Sequence, residues 1–456
     1  MRRLNPVARG LTLLLLSVTV ALHPAAAQSI LRDSETEKLF ADMSKPLIEA
    51  ARLDPKNVKI VLVNDPEINA FVAGGQVVYL HTGLISASDN ANQVQGVIAH
   101  ELGHVAGGHV LRSGEGMKQA TGITLLSLVL GGLAMAAGAG EAGMGVMALG
   151  QQAAMSSFFA FTRAQESSAD LAGAAYLGAA GITGRGSIEF FKKLQTQEYR
   201  LAVYATNSYD RTHPLSSERI ASLSEVYKKD PAWSRPQDPV LEARFQRVRA
   251  KLIGYISNKD SVLRAYPASD RSIPALYARA YAYHRMGDRD AALREADALL
   301  ATAPTDPFFL ELKGQILLES GKPAEALPPL RQAVLRAPDQ PMIQSMLGHA
   351  LLATEASANL PEAERVLKAS IGRDNDQPFA WYQLGMIYSA KGDLPRAALA
   401  TAERYSLEGQ PKLALVSAER ALKGIPAGTP DYLRAQDIAM VAKEAVRKDK
   451  KGKQDK

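Results

Sequence analysis

Small residues recur at a fixed interval in the second half of this 456-residue chain, and that interval restricts the fold more than any other feature. Ala280, Gly314 and Gly348 are spaced by 34 residues, as are Gly287 and Gly321, and Pro304 and Pro338. A period of this length, with small residues in a first helix and glycine at the turn, describes a repeated helix pair. Residues 281–286, 316–320 and 387–390 read as the ends of first helices, and Ala291, Ala324 and Leu394 open second helices. Gly348 to Gly385 is 37 residues, which places a three-residue insertion near Ser357, Ala358 and Asn359. Gly392 continues the pattern, and Gly409, Gln410 and Pro411 begin a further, degenerate unit. Such pairs stack into a solenoid with a concave binding face.

The first half is of another kind. Residues 34–53 read as an amphipathic helix and residues 58–63 as a strand. Residues 69–73 and 76–80 flank Gly74 and Gly75 and read as a hairpin or bulged strand pair. Gln76, Val77, Val78, Tyr79 and Leu80 are expected at a sheet edge, where an extended substrate adds through main-chain hydrogen bonds.

His100-Glu101-Leu102-Gly103-His104 lies in a stretch, residues 89–112, that reads as helical. Histidines four apart share one helical face, so both imidazoles can reach one zinc ion. Glu101 can then act as general base toward the attacking water. A hydrolytic zinc also needs a third protein ligand and an open position. Glu166 is the candidate, and Asp170, on the same face, can accept a hydrogen bond from the far nitrogen of a ligand histidine. On a continuous helix His109 is rotated about 140° from His104, so it is expected to be structural or exposed. His213 precedes Pro214 in a turn. Chemistry leaves it three uses: reaching the open zinc position, binding a developing oxyanion, or shaping the turn.

Residues 119–140 carry no charge over 22 positions. That length permits a transmembrane helix, but Gly122, Gly131, Gly132, Gly138 and Gly140 weaken one. The expectation is a flexible apolar lid over the active site, residues 114–150, with glycine hinges and with peripheral membrane contact as a further use. Residues 1–27 read as a secretory signal. Arg2, Arg3 and Arg9 make its basic start, residues 11–22 an apolar run too short to span comfortably, and Ala25, Ala26 and Ala27 a cleavage site before Gln28. The chain has no cysteine, which excludes disulfides and a lipid-modified cysteine and suits an oxidising compartment. The net charge of +6 is spread without a basic block except at residues 448–456, expected as a solvated, disordered tail. No nucleic-acid partner is expected. The reading divides the chain into a signal (1–27), a catalytic domain (28–240), a repeat domain (241–446) and a basic tail (447–456).

The strand Asn69-Ala70-Phe71 with Gly74-Gly75, the His-Glu-Leu-Gly-His motif, Glu166-Ser167-Ser168-Ala169-Asp170, and Arg211-Thr212-His213-Pro214 with Arg219-Ile220 occur in one order. This set resembles the gluzincin peptidases that include HtpX and the CAAX prenyl proteases. The 34-residue units resemble tetratricopeptide repeats, and with the signal the chain is similar to periplasmic members of that family. The resemblance implies an α+β, zincin-like metalloprotease domain followed by an all-α tetratricopeptide-repeat solenoid. It implies one zinc ion on His100, His104 and Glu166, with Glu101 as base and Asp170 behind a ligand histidine. It implies His213 as a catalytic or gating residue at the fourth zinc position, its loop ordered by Arg211 and Arg219. The implied function is a periplasmic zinc metalloendopeptidase, peripheral to the outer membrane, that degrades unfolded or stalled outer-membrane proteins and assists their assembly. Its repeats would dock clients or the β-barrel assembly machinery. The alternative expectation is a chaperone or scaffold whose protease centre stays gated.

Overall fold

A computed structural model describes residues 30–136, 140–201, 213 and 217–454. The expected secretory signal lies outside the described residues. The described chain forms two compact units, the first of residues 30–32 and 36–246 and the second of residues 33–35 and 247–454.

In the first unit, β1 (Ile30–Leu31), β2 (Lys59–Val63), β3 (Ala70–Ala73) and β4 (Val77–His81) form one sheet in the order β1-β2-β4-β3. β2 and β4 run parallel, and the two outer pairs are antiparallel. Gly74 and Gly75 make the β3–β4 turn with φ of 60° and 98°, a region in which a Cβ clashes with the backbone. The strand containing Val77, Val78, Tyr79 and Leu80 is therefore paired on both sides, with Gln76 at its entry. The expectation that residues 76–80 form an edge is corrected: β1 and β3 are the outer strands among the described residues. Alternation and paired glycines reveal a hairpin, but they carry no sign that β2 returns to pair with its second strand.

Helix α1 (Ser34–Ala50) buries Leu39, Phe40, Met43 and Leu47, spaced for one helical face, and β4 buries Val78 and Leu80. After α2 (Thr82–Ala87) comes α3 (Ala91–Ala106), whose N-cap Asn90 accepts from the Gln93 amide at 3.0 Å. The expected single helix over residues 89–112 is broken: α3 ends at Ala106, Gly108 has φ of 63°, and α4 (His109–Ala136) starts afresh. α5 (Gly140–Ala179) packs back along α4. The segment expected as a flexible lid is a helical hairpin in which Gly131, Gly143 and Gly150 make close contacts, while Gly122 and Gly132 meet nothing within 4 Å. A Cβ on Gly131 would stand 2.6 Å from the Gly143 carbonyl, and one on Gly150 1.9 Å from Ser127 Cβ. α6 (Arg185–Leu201), α7 (Ser217–Lys229) and α8 (Pro239–Ile256) follow.

In the second unit α9 (Lys259–Ala265) precedes a series of helix pairs. They are α10 (Ile273–Arg285) with α11 (Arg289–Thr302), α12 (Pro307–Glu319) with α13 (Pro323–Arg336), and α14 (Pro341–Ala353) with α15 (Leu360–Arg373). Then come α16 (Pro378–Ala390) with α17 (Leu394–Leu407), and α18 (Pro411–Leu422) with α19 (Pro430–Gln454). The small residues of the period seat leucines of the partner helix: a Cβ on Gly314 would stand 2.4 Å from Leu330 Cγ, and one on Gly348 2.5 Å from Leu367 Cγ. Gly287, Gly321 and Gly392 end first helices at φ of 73°, 74° and 77°. In the unit with the insertion Glu355 takes that place at φ of 56°, and the extra residues form a 3-10 turn, Ser357–Asn359. The basic run expected to be disordered continues α19 to Gln454. Lysine, arginine and glutamine are good helix formers, and cations are favoured at a helix C-terminus.

Gly321→Ala is expected to lower the stability of the repeat unit by about 1 kcal/mol, because alanine is strained in the left-handed region. Glu355→Gly is expected to raise it by up to about 1 kcal/mol. Urea unfolding of the chain followed by circular dichroism reads both, and equal losses at the two positions would contradict the assignment.

Candidate metal centre

Helices α3 and α5 meet at backbone distance. A Cβ on Gly103 would stand 2.7 Å from the Ala169 carbonyl oxygen, and one on Gly173 3.0 Å from the His100 amide nitrogen. No side chain separates the two helices there, so residues one turn apart on each face reach one small volume. α3 contributes His100, Glu101 and His104; α5 contributes Glu166 and Asp170; His213 approaches beside them. All six are buried.

The ligand atoms converge. His100 Nε2 lies 3.1 Å from His104 Nε2 and 3.3 Å from Glu166 Oε2, and His104 Nε2 lies 3.4 Å from Glu166 Oε1. His213 Nδ1 is 3.3 Å from His100 Nε2 and 3.1 Å from both Glu166 oxygens. One atom from each of these four residues falls within 4.8 Å of the other three. A tetrahedral ion with ligand bonds of about 2.0–2.1 Å holds its ligands about 3.3 Å apart. Two neutral imidazoles, a carboxylate and a third imidazole at these separations have the chemistry and dimensions of a divalent metal shell.

A second layer of groups orients the first. His100 Nδ1 donates to Asp170 Oδ1 at 2.9 Å. Arg219 Nη2 donates to the same oxygen at 2.9 Å and lies 3.0 Å from Glu166 Oε2, while Arg219 Nη1 donates to the His213 carbonyl at 3.4 Å. One guanidinium thus ties together both carboxylates and the backbone of the loop histidine. Sequence reasoning saw Arg219 only as a residue that orders a loop; Arg211 lies outside the described residues.

His109 is the larger departure. It is buried, and its Nδ1 is 2.9 Å from His104 Nδ1. The expected rotation away from His104 assumed an unbroken helix. The break at Gly107 and Gly108 folds the ring back, and Gly107 leaves it room: a Cβ there would stand 2.4 Å from His109 Nε2. The adjacent glycines were the available signal. With a metal on His104 Nε2, Nδ1 carries the proton and donates to His109, so both helix histidines are held from behind.

Burial and pairing set the charges. Burial alone would lower the His100 pKa, but hydrogen bonds to Asp170 and Glu166 overcome it and raise it to about 10. Burial would raise Glu166, yet hydrogen bonds with His100, His104 and His213 hold it well below the carboxylate range. Burial likewise opposes ionisation of Asp170, and Arg219 and then His100 keep it low. Burial, the leading cause, lowers His104. Glu101 differs from its neighbours: it is fully buried, and among the described residues neither carboxylate oxygen has a hydrogen-bond partner. The cation-forming atom beside it is His213 Nε2, 3.5 Å from Oε1.

Two outcomes follow. A metal must displace the proton that His100 holds below pH about 10, so its apparent affinity should rise about tenfold per pH unit between 7 and 9. Calorimetry in buffers of different ionisation enthalpy should show about one proton released per metal at pH 8; release of none would contradict the assignment. Gly103→Val should push α3 from α5 and abolish tight metal uptake, whereas Gly145→Ala, which meets nothing within 4 Å, should leave it unchanged.

The profile of peptidase family M48 matches residues 33–227. The beta-barrel assembly-enhancing protease of Escherichia coli (strain K12) is 27% identical over 359 residues, covering 76% of this chain and 71% of that protein. The metalloprotease YcaL of the same organism is 31% identical over 195 residues, covering 42% of this chain and 71% of its own. Among solved structures, YrrB, described as a TPR protein with an unusual peptide-binding site, aligns with 39% of this chain and 92% of its own at 20% identity, with a TM-score of 0.31.

Proposed function

Because the chain belongs to peptidase family M48 and is a metalloendopeptidase, we propose that it is a zinc enzyme of the periplasm, working at the outer membrane. Its substrates would be unfolded or stalled β-barrel proteins, whose assembly it would also assist, in keeping with the name of the Escherichia coli relative. The tetratricopeptide-like repeats would dock these clients or the β-barrel assembly machinery.

His100, His104 and Glu166 would hold the ion. His213, with Nδ1 among their ligand atoms, would take the fourth position and act as a gate. A bound zinc ion supplies Lewis acidity toward the peptide carbonyl and toward water. The chain's own groups do the rest. Glu101 removes a proton from the attacking water and delivers it to the departing amine, so a C–O bond forms, the C–N bond breaks and the proton ends on nitrogen. Asp170 and His109 hold the ligand imidazoles in one tautomer, and Arg219 keeps Glu166 and Asp170 ionised. The substrate strand moves from β4, which has no open side, to β3, the outer strand that packs against α3. Main-chain pairing at Ala70–Ala73 would accept many unfolded sequences.

The observation that carries this reading is Glu101, a fully buried carboxylate with no hydrogen-bond partner among the described residues, set beside a four-residue ligand cluster. A buried unsatisfied carboxylate is costly, and a proton-transfer role accounts for it. The position of His213 also favours a second reading, in which the chain serves mainly as a chaperone or scaffold with its protease centre closed.

Glu101→Gln is expected to reduce cleavage of unfolded barrel protein about 100- to 10,000-fold with zinc retained, and His213→Ala to speed it. A Glu101→Gln variant as active as the wild type would overturn the assignment. His109→Phe should weaken zinc binding about 10- to 100-fold in a chelator competition, while His109→Asn, which keeps an acceptor, should lose much less.

A further inference from the structure

The hairpin of α4 and α5 presents apolar side chains in directions that its own packing cannot use. Leu126, Val129 and Leu133 are 61%, 59% and 64% exposed, and Leu125, Leu128 and Leu130 are exposed beside them. At 100° per residue these six cover about 200° of the circumference of α4. The remaining arc is the seam with α5, where Gly131 and Gly143 bring the backbones together. Met144 and Leu149 extend the apolar surface on α5. A groove on a partner protein meets one stripe of a helix, whereas lipid meets all of it.

Charge marks the boundary. Between Lys118 and Arg163 the sequence has one ionisable side chain, Glu141, near the hairpin tip. Gly116 packs against the Phe161 ring, so Lys118 and Arg163, both exposed, lie within about one turn of the same level. Toward Arg163 exposed Gln151, Gln152 and Ser156 interrupt the apolar surface of α5, which continues only at Met155 and Phe159. The distal apolar part of α4, residues 123–136, is about 21 Å long at 1.5 Å per residue, more than one leaflet's hydrocarbon and less than a bilayer's. No described helix is long and apolar enough to cross a membrane. The contact-making glycines are those of helices that pack in lipid, where close approach replaces the hydrophobic drive.

We infer that the α4–α5 hairpin is a lipid anchor: its distal half lies along the interface of one leaflet of an anionic bilayer, with Lys118 and Arg163 at the headgroup phosphates. The cations reach the phosphates from below while their stems stay on apolar surface. Glu141, near the tip and exposed, keeps the hairpin shallow, because a carboxylate is costly in hydrocarbon and the tip must stay at headgroup level. The hairpin continues directly from the turn bearing His109 and into the helix bearing Glu166, so a membrane-held hairpin sets the catalytic cluster near the lipid surface. The inference rests on the proposed function only for which membrane is meant; lipid binding itself is independent of proteolysis.

The test is co-sedimentation of the processed chain, beginning at Gln28, with vesicles of phosphatidylethanolamine and phosphatidylglycerol. The wild type should sediment with the vesicles. Leu126→Glu, Val129→Glu and Leu133→Glu together should lower partitioning at least about tenfold, and Lys118→Glu with Arg163→Glu should remove the preference for anionic over phosphatidylcholine vesicles. Zinc content and circular dichroism report that each variant is folded, and slowed amide exchange over residues 123–136 on adding vesicles reports the contact without any variant. A wild type that stays in the supernatant, or a triple variant that binds vesicles equally well, overturns the inference. So does a hairpin that captures unfolded casein while ignoring vesicles.

Discussion

Backbone contact between α3 and α5 is the constraint on which the site depends. Gly103 against Ala169, and Gly173 against His100, remove the side-chain layer that normally separates packed helices. Only then can Glu166 reach two imidazoles one turn apart on the facing helix. The same contact buries three carboxylates and three histidines in one volume, which is costly unless each charge has a partner. Arg219 is the cation that balances Glu166 and Asp170, and the proton on His100 supplies further positive charge until a metal replaces it. Arg219 does not reach Glu101, whose carboxylate has His213 Nε2 at 3.5 Å beside it and no hydrogen-bond partner among the described residues.

How much of this was legible depends on how local each feature is. Histidines four apart, and Glu166 four before Asp170, are bound to share helix faces whatever the tertiary structure. His213 needs more: its turn was readable, but its arrival beside Glu166 comes from packing that spacing does not encode, so its uses stayed open. His109 is buried against His104, within the structural alternative, but its expected rotation away from His104 fails because the helix does not run through Gly107 and Gly108. Strand order was illegible in the same sense. Residues 70–81 announce a hairpin, but the parallel pairing of β2 with β4 is a long-range choice, and it moved the outer strand from residues 76–80 to β3.

Glycine has two distinct physical uses in this chain, and sequence alone separates them poorly. In the repeats Gly287, Gly321 and Gly392 supply left-handed turns, and the fixed period made that readable. Glu355 shows what the period hides: the insertion keeps the turn and places a strained residue in it. In α3 and α5 glycine permits contact at the site. In the hairpin Gly131 and Gly143 do the same for two helices whose outer faces are apolar, where a flexible lid was the reading from composition. A run of glycine and leucine does not say whether the chain bends or packs; the partner across the seam decides.

The measurement that tests the central claim most directly is X-ray absorption at the zinc edge on the purified chain, with metal content, for the wild type and His213→Ala. One zinc per chain is expected, with only nitrogen and oxygen neighbours at about 2.0–2.1 Å. The wild type should show three imidazole shells, and His213→Ala two with a water-derived oxygen in place of the third. A chain that binds no metal at neutral pH, or a wild-type spectrum unchanged by loss of His213, would contradict a metal centre closed by the loop histidine.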